Sequence, residues 1–184
     1  MSIFNQEILF SKEECEFILS EHTDSIFKRS VAGYIHDDMS DSVKKQIQDW
    51  RTSYDSHIDL TPKTKNLLLS KLNKYGITNM EELSRVVRYE KGQQFKKHRD
   101  SEDGYNHRYK TLVIQLSDEV DYEGGDLLVY DKEGNEITAN KNIGNMILFN
   151  SDLLHEAKPI ISGTRYIWIT WLRSTDFNLK KGII

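Results

Sequence analysis

Near residue 80 the chain changes texture, and the change narrows the folds open to it. Beyond that point come short β-branched and aromatic runs: Arg85–Tyr89, Lys110–Leu116, Asp126–Tyr130, Asn145–Phe149 and Thr164–Leu172. Clusters of Gly, Asn and Asp separate them, the pattern of strands bounded by turns. Several such strands in succession, preceded by helical sequence, point to helices packed outside a two-sheeted barrel of jelly-roll type. The chain is then α+β, mainly β with N-terminal helices. The stretch Asp131–Asn135 (DKEGN) reads as a hairpin turn.

The first 80 residues read as mostly helical support. Ser11 can cap a helix, with Glu14 completing a capping box and Phe17, Ile18 and Leu19 supplying the apolar side. Thr61-Pro62 offers a cap and a first-turn proline ahead of a helix through residue 75, with Leu67, Leu68 and Leu72 turned inward and Gly76 ending it. Between these helices, residues 30–60 are polar, and Asp37, Asp38 and Asp41 read as a solvated loop. With 184 residues, 38% hydrophobic and 29% charged, and a net charge of −4, the chain suits one domain with a real core. It is expected to span 1–184, with the barrel over 81–175. No apolar run approaches bilayer-spanning length, which excludes a helical membrane protein. The opening MSIFNQEILF lacks the basic start and apolar stretch of a secretory signal, and Cys15 is the only cysteine. Both predict a cytoplasmic, reducing setting, with Cys15 a small buried hydrophobe.

Four residues carry the chemistry: His98, Asp100, His155 and Arg165. On a strand, side chains alternate faces, so His98 and Asp100 point the same way, with Arg99 opposite. Two imidazoles and one carboxylate can fill one face of an octahedral metal and leave the other open, the arrangement of Fe(II) oxygenases. Arg165 shares a strand face with Ile167, Ile169 and Trp171. A charge on so apolar a face calls for an anionic partner, and the guanidinium fork suits a carboxylate. A protein Asp or Glu as that partner, or a strand end that reaches water, is the alternative reading at this point.

Residues 89–100 (YEKGQQFKKHRD) resemble the Y-x-x-G-x-x-F/Y-x-x-H-x-D segment of the prolyl 4-hydroxylase-like 2-oxoglutarate/Fe(II) dioxygenases. RYKTLVIQLS (108–117), YEGGDLLVY (122–130), GNMILFNSDLLHEAKPIISGTRY (144–166) and Trp171 follow in the family's order, so the resemblance covers about residues 81–173. It implies a double-stranded β-helix core with Fe(II) held by His98, Asp100 and His155. It further implies 2-oxoglutarate anchored by Arg165, ascorbate as a reductant, and oxidation coupled to release of succinate and CO₂. The ten-residue step from His155 to Arg165 looks like the prolyl hydroxylase branch. The implied substrate is therefore a proline-containing peptide or protein. Leu127 and Trp171 would wall the co-substrate pocket, and Tyr89 would line it. At the position of Gln115 the family usually carries a Tyr that helps hold the distal carboxylate; here an amide must donate instead. The same residues also suit an oxygenase acting on another side chain or a small molecule, or a non-catalytic metal-binding barrel.

The other histidines, His22, His36, His57 and His107, lack ligand spacing and read as surface residues, His107 bordering the substrate loop. Residues 85–110 hold eight Lys or Arg against four Asp or Glu. The favoured reading is a solvated outer strand face; the functional one is a basic rim that steers a charged substrate segment. No basic–aromatic stripe supports direct nucleic-acid binding.

Overall fold

The structure is a computed structural model and describes residues 4–21, 27–30, 38–56, 60–80, 84–102 and 104–176. Among these residues twelve strands form two sheets. The major sheet is assembled from β1 (Phe4–Ile8), β2 (Phe27–Arg29), β3 (Tyr54–Ser56), β4 (Arg85–Glu90), β6 (Lys110–Gln115), β7 (Tyr122–Gly124), β10 (Asn145–Asn150) and β12 (Ile160–Leu172). Its order is β1-β10-β6-β12-β4-β3-β2, with β7 pairing the start of β12. The minor sheet holds β5 (Phe95–His98), β8 (Leu127–Tyr130), β9 (Glu136–Thr138) and β11 (His155–Ala157), in the order β5-β11-β8-β9. All named pairings are antiparallel, and the two sheets form the jelly-roll barrel that the strand pattern implies.

Alternation along the central strands builds two cores. Val86, Leu112, Ile114, Met146, Leu148 and Trp168 turn outward onto α1 (Lys12–Ser20) and α3 (Pro62–Leu72), against Cys15, Ile18, Leu68 and Leu72. Their neighbours Val87, Val113, Ile147, Phe149 and Ile167 turn inward between the sheets, against Leu127 and Val129. Strand β6 is therefore buried on both faces, which is why its centre, Leu112, Val113 and Ile114, is apolar without alternation. Leu112, fully buried under the helices, tests the outer core. Leu112→Ala should destabilise the fold by about 2–5 kcal/mol, read as a lower urea midpoint with an unchanged slope.

Local signals behave as the sequence dictates in several places. Ser11 accepts from the Glu14 amide while the Glu14 carboxylate accepts from the Ser11 amide, a complete capping box. Thr61 caps α3 ahead of Pro62, and after a 3-10 turn Gly76 closes the segment at φ 76°. The 131–135 turn joins β8 to β9. Burial pushes the Cys15 thiol up to about 12, so it is an inert apolar filler.

Beside their three α-helices, the N-terminal 80 residues contain strands that the sequence reading left out. They supply three strands, β1 at one edge of the major sheet and β2 and β3 at the other. These strands are three to five residues long and pair with partners far away in sequence, so local periodicity carries little sign of them. Asp41, expected in a loop, opens α2 (Asp41–Trp50) behind its cap Ser40. His22, His36, His57 and Asp37 lie outside the described residues.

Candidate metal centre

The pairing of β5 with β11 sets His98 directly opposite His155, with ring centroids 4.2 Å apart. Asp100 follows β5 by two residues, and its backbone amide donates to the Ser151 carbonyl at 2.9 Å. One carboxylate oxygen lies 3.6 Å from His98 Nε2 and the other 3.3 Å from His155 Nε2. The three ligand atoms fall within 4.8 Å of one another, the one such group among the described residues.

The second nitrogen of each imidazole decides its role. His98 Nδ1 lies 2.7 Å from the Lys96 carbonyl, and His155 Nδ1 lies 3.0 Å from the Leu153 carbonyl. A backbone carbonyl only accepts, so each Nδ1 carries the proton and each Nε2 presents a lone pair beside Asp100. Thr111 donates to Asp100 Oδ2 at 2.7 Å and also contacts the Ser151 hydroxyl at 3.0 Å, fixing the carboxylate. Burial works against charge on Asp100, but the facing imidazoles prevail and hold its carboxyl well below the usual range. Burial and the neighbouring His155 keep the His98 imidazole below its ordinary value. For His155 burial pulls the same way, yet the Asp100 carboxylate overrides it and raises the ring. An anion flanked by two fixed, ligand-ready nitrogens suits a divalent transition metal of the Fe(II) type. Thr111→Val, which frees Asp100 to rotate, should weaken metal affinity by about 10- to 100-fold in a chelator competition.

Arg165 opens onto the same cavity as His98 and His155, with Phe95, Phe149, Ile167 and Ile169 forming apolar walls. It is 2% exposed, and its Nε donates to Gln115 Oε1 at 3.1 Å. It also meets the Tyr122 hydroxyl, and its Cζ lies 5.9 Å from the Tyr89 ring centroid. These partners are neutral, so among the described residues the buried guanidinium charge has no carboxylate beside it, and the cavity presents that charge to an anion. Gln115 is fully buried and lies behind Arg165. Its Nε2 donates to the Tyr122 hydroxyl at 2.9 Å, which fixes the amide with its oxygen toward Arg165. Gly125, at φ 65°, leaves room here: a Cβ would collide with Ile160 and come within 3.4 Å of Arg165 Cδ.

The structure thus places Tyr89 and Leu127 on the cavity wall with His98, His155 and Arg165. It places Gln115 in contact with Arg165 but off that wall. Trp171 stands apart from the wall, its ring 3.8 Å from the Arg108 Cζ and 5.1 Å from that of Arg85. Sequence reasoning passed over Tyr122, Thr111 and Phe95. Phe95 stacks on the His98 ring at 3.5 Å and sits in the same motif, three residues before it. Tyr122 gave no signal, because it reaches Arg165 from a three-residue strand that local pattern does not mark.

A two-sheeted barrel with a two-His, one-carboxylate centre and an arginine in the same cavity defines the class of mononuclear-metal oxygenase barrels. Residues 84–173, just under half of the chain, match the model of the 2OG-Fe(II) oxygenase superfamily. Among curated proteins it is 30% identical over 92 residues to a PKHD-type hydroxylase of Shewanella baltica, covering 47% of this chain and 41% of that one. A PKHD-type hydroxylase of Synechococcus is 34% identical over 92 residues, 48% of this chain and 40% of the relative. The matched stretch thus spans less than half the length of these curated relatives. A Pseudomonas putida prolyl-4-hydroxylase shares the fold at a TM-score of 0.65 and 16% identity, over 93% of this chain and 92% of that one. A Trichoplax adhaerens prolyl hydroxylase, solved with a hypoxia inducible factor peptide, shares it at 0.66 and 20% identity, over 95% and 85%. Among the described residues no helix is long and apolar enough to cross a membrane.

Proposed function

We propose that this chain is a 2-oxoglutarate- and Fe(II)-dependent dioxygenase that hydroxylates a prolyl residue in a peptide or protein. The observation that carries the reading is the cavity shared by His98, His155 and Arg165. His98, Asp100 and His155 would hold the iron, and Arg165 the distal carboxylate of 2-oxoglutarate, with Tyr89 and Leu127 against its chain. Bound there, iron with 2-oxoglutarate and O₂ supplies oxidative decarboxylation to succinate and CO₂ coupled to oxygen insertion into a C–H bond. Ascorbate as a reductant belongs to the same proposal.

The protein's own residues bind, orient and exclude water. The Lys96 and Leu153 carbonyls fix both imidazole tautomers, and Thr111 fixes Asp100. Phe95, Phe149 and the isoleucines of β12 keep the cavity apolar, which strengthens the Arg165 interaction with an anion. Gln115 positions Arg165 from behind. Gln115→Leu should therefore raise the KM for 2-oxoglutarate about fivefold, the equivalent of about 1 kcal/mol, while iron binding survives.

A prolyl target is supported by the prolyl hydroxylase likeness in fold and by the Tyr89–Asp100 motif. Its test offers proline-containing peptides, matched Pro→Ala peptides and free proline, following succinate and substrate mass together. Gain of one oxygen by the proline peptides alone is the expected result. Equal oxidation of the Pro→Ala peptides, or oxidation of free proline only, would sink the prolyl reading. No succinate under any condition would favour a non-catalytic metal-binding barrel.

A further inference from the structure

The three candidate ligands are not equally supported. Asp100 is held from two directions: its amide donates to the Ser151 carbonyl and its carboxylate accepts from Thr111. His155 lies on β11, which is flanked by β5 on one side and β8 on the other. His98 ends β5, the outermost strand of its sheet, whose strand pairing is confined to β11 and interrupted by a register shift. Its imidazole is fixed through Nδ1 to Lys96, a residue of the same strand, so a displacement of β5 would carry the ring with it.

The other edge of β5 is closed by residues 51–53, which join α2 to β3. Arg51 forms an antiparallel bridge with Phe95. The Thr52 amide donates to the Gln94 carbonyl at 3.0 Å, and the Gln94 amide donates to Thr52 Oγ1 at 2.9 Å. The Arg51 side chain continues the contact. Its Cζ lies 4.9 Å from the centroid of the Phe95 ring, and that ring stacks on His98 at 3.5 Å. Arg51 is buried; its Nε donates to Ser53 Oγ at 3.0 Å and its Nη2 to Asp55 Oδ1 at 2.6 Å. A planar guanidinium pinned at both ends of its fork makes a rigid plate beside Phe95. Burying an ion pair carries a desolvation cost that an apolar replacement avoids, which points to a role beyond packing.

We propose that Arg51 is a positioning residue for the metal centre: it holds the Phe95 ring in place and, through that ring, fixes the ligating orientation of His98. This deepens the proposed function and rests on it only in taking His98, Asp100 and His155 as a metal site. It depends on neither the substrate nor the co-substrate.

The test uses Co(II), read by its visible ligand-field absorption and by proton NMR, with no co-substrate and no turnover. Each imidazole keeps its Nδ1 proton, so the Co(II)-loaded protein should show two exchangeable, strongly shifted N–H signals, one from each histidine. Phe95→Leu removes the stacked ring and so marks which signal is that of His98. Arg51→Gln should shift that same signal and speed its exchange with D₂O, leaving the His155 signal as in the wild type. Asp55 keeps Arg85 as its partner in this variant, at 3.2 Å. Co(II) affinity should fall about tenfold in either single variant, the loss typical of a partner that orients a ligand, and no further in the double variant. Arg51→Lys, which keeps a cation beside Asp55 but not the fork, should lose less. An affinity within about twofold of the wild type in Arg51→Gln, or losses that multiply in the double variant, would overturn the proposal. So would a change of equal size in both N–H signals, the mark of general loosening. No Co(II) uptake by the wild type would instead refute the metal site itself, and this proposal with it.

Discussion

His155→Ala should abolish iron binding while leaving the barrel folded. His155 would supply one of three ligand atoms, and of the two imidazoles it lies nearer to Asp100, at 3.3 Å. Without it, Asp100 and His98 remain as a two-ligand site on one edge. Loss of a mere supporting partner costs about 10- to 100-fold in metal affinity, so loss of a ligand should exceed about 100-fold. Anaerobic addition of iron and 2-oxoglutarate should then fail to give the visible charge-transfer band of the wild type. The fold should persist, because His155 lies on a three-residue strand and its removal leaves the outer core untouched. An undiminished band in the variant would remove His155 from the site.

Arg165→Ala should separate co-substrate binding from metal binding. Arg165 is buried with neutral partners, so its charge is available to a carboxylate in the cavity. Losing a buried charge-assisted contact costs about 1.5–3 kcal/mol, a rise of about 10- to 150-fold in the KM for 2-oxoglutarate. Iron binding should survive, since Arg165 touches none of the three ligands. A KM within a factor of two of the wild type would make Arg165 structural.

The site was legible in sequence to the extent that its residues sit on strands whose period is two. His98 and Asp100 share a face for that reason, and Arg165 is recognisable because the positions two and four residues on are isoleucines. What stayed hidden was contact between elements distant in sequence. Gln115 read as a candidate donor to the anion, yet its carbonyl oxygen faces Arg165 and its amide hydrogens face Tyr122 and the Ser117 carbonyl. An orientation of that kind depends on a neighbour from another strand. The basic stretch 85–110 divides in the same way. Lys91, Lys96 and Lys97 are exposed, as a solvated face requires, whereas Arg85 and Arg108 turn onto Trp171. Charge counting cannot tell these apart, because only the return of β12 alongside β4 and β6 brings Trp171 between them. The short strands β1, β2 and β3 escaped for the same reason.

Oxygen-18 labelling tests the central claim most directly. The wild-type protein, with iron, 2-oxoglutarate, a proline-containing peptide and ¹⁸O₂, should place one labelled atom in succinate and one in the peptide, in equal amounts. Succinate without label, or labelled succinate formed at the same rate by His155→Ala, would contradict an oxygenase centred on His98, Asp100 and His155.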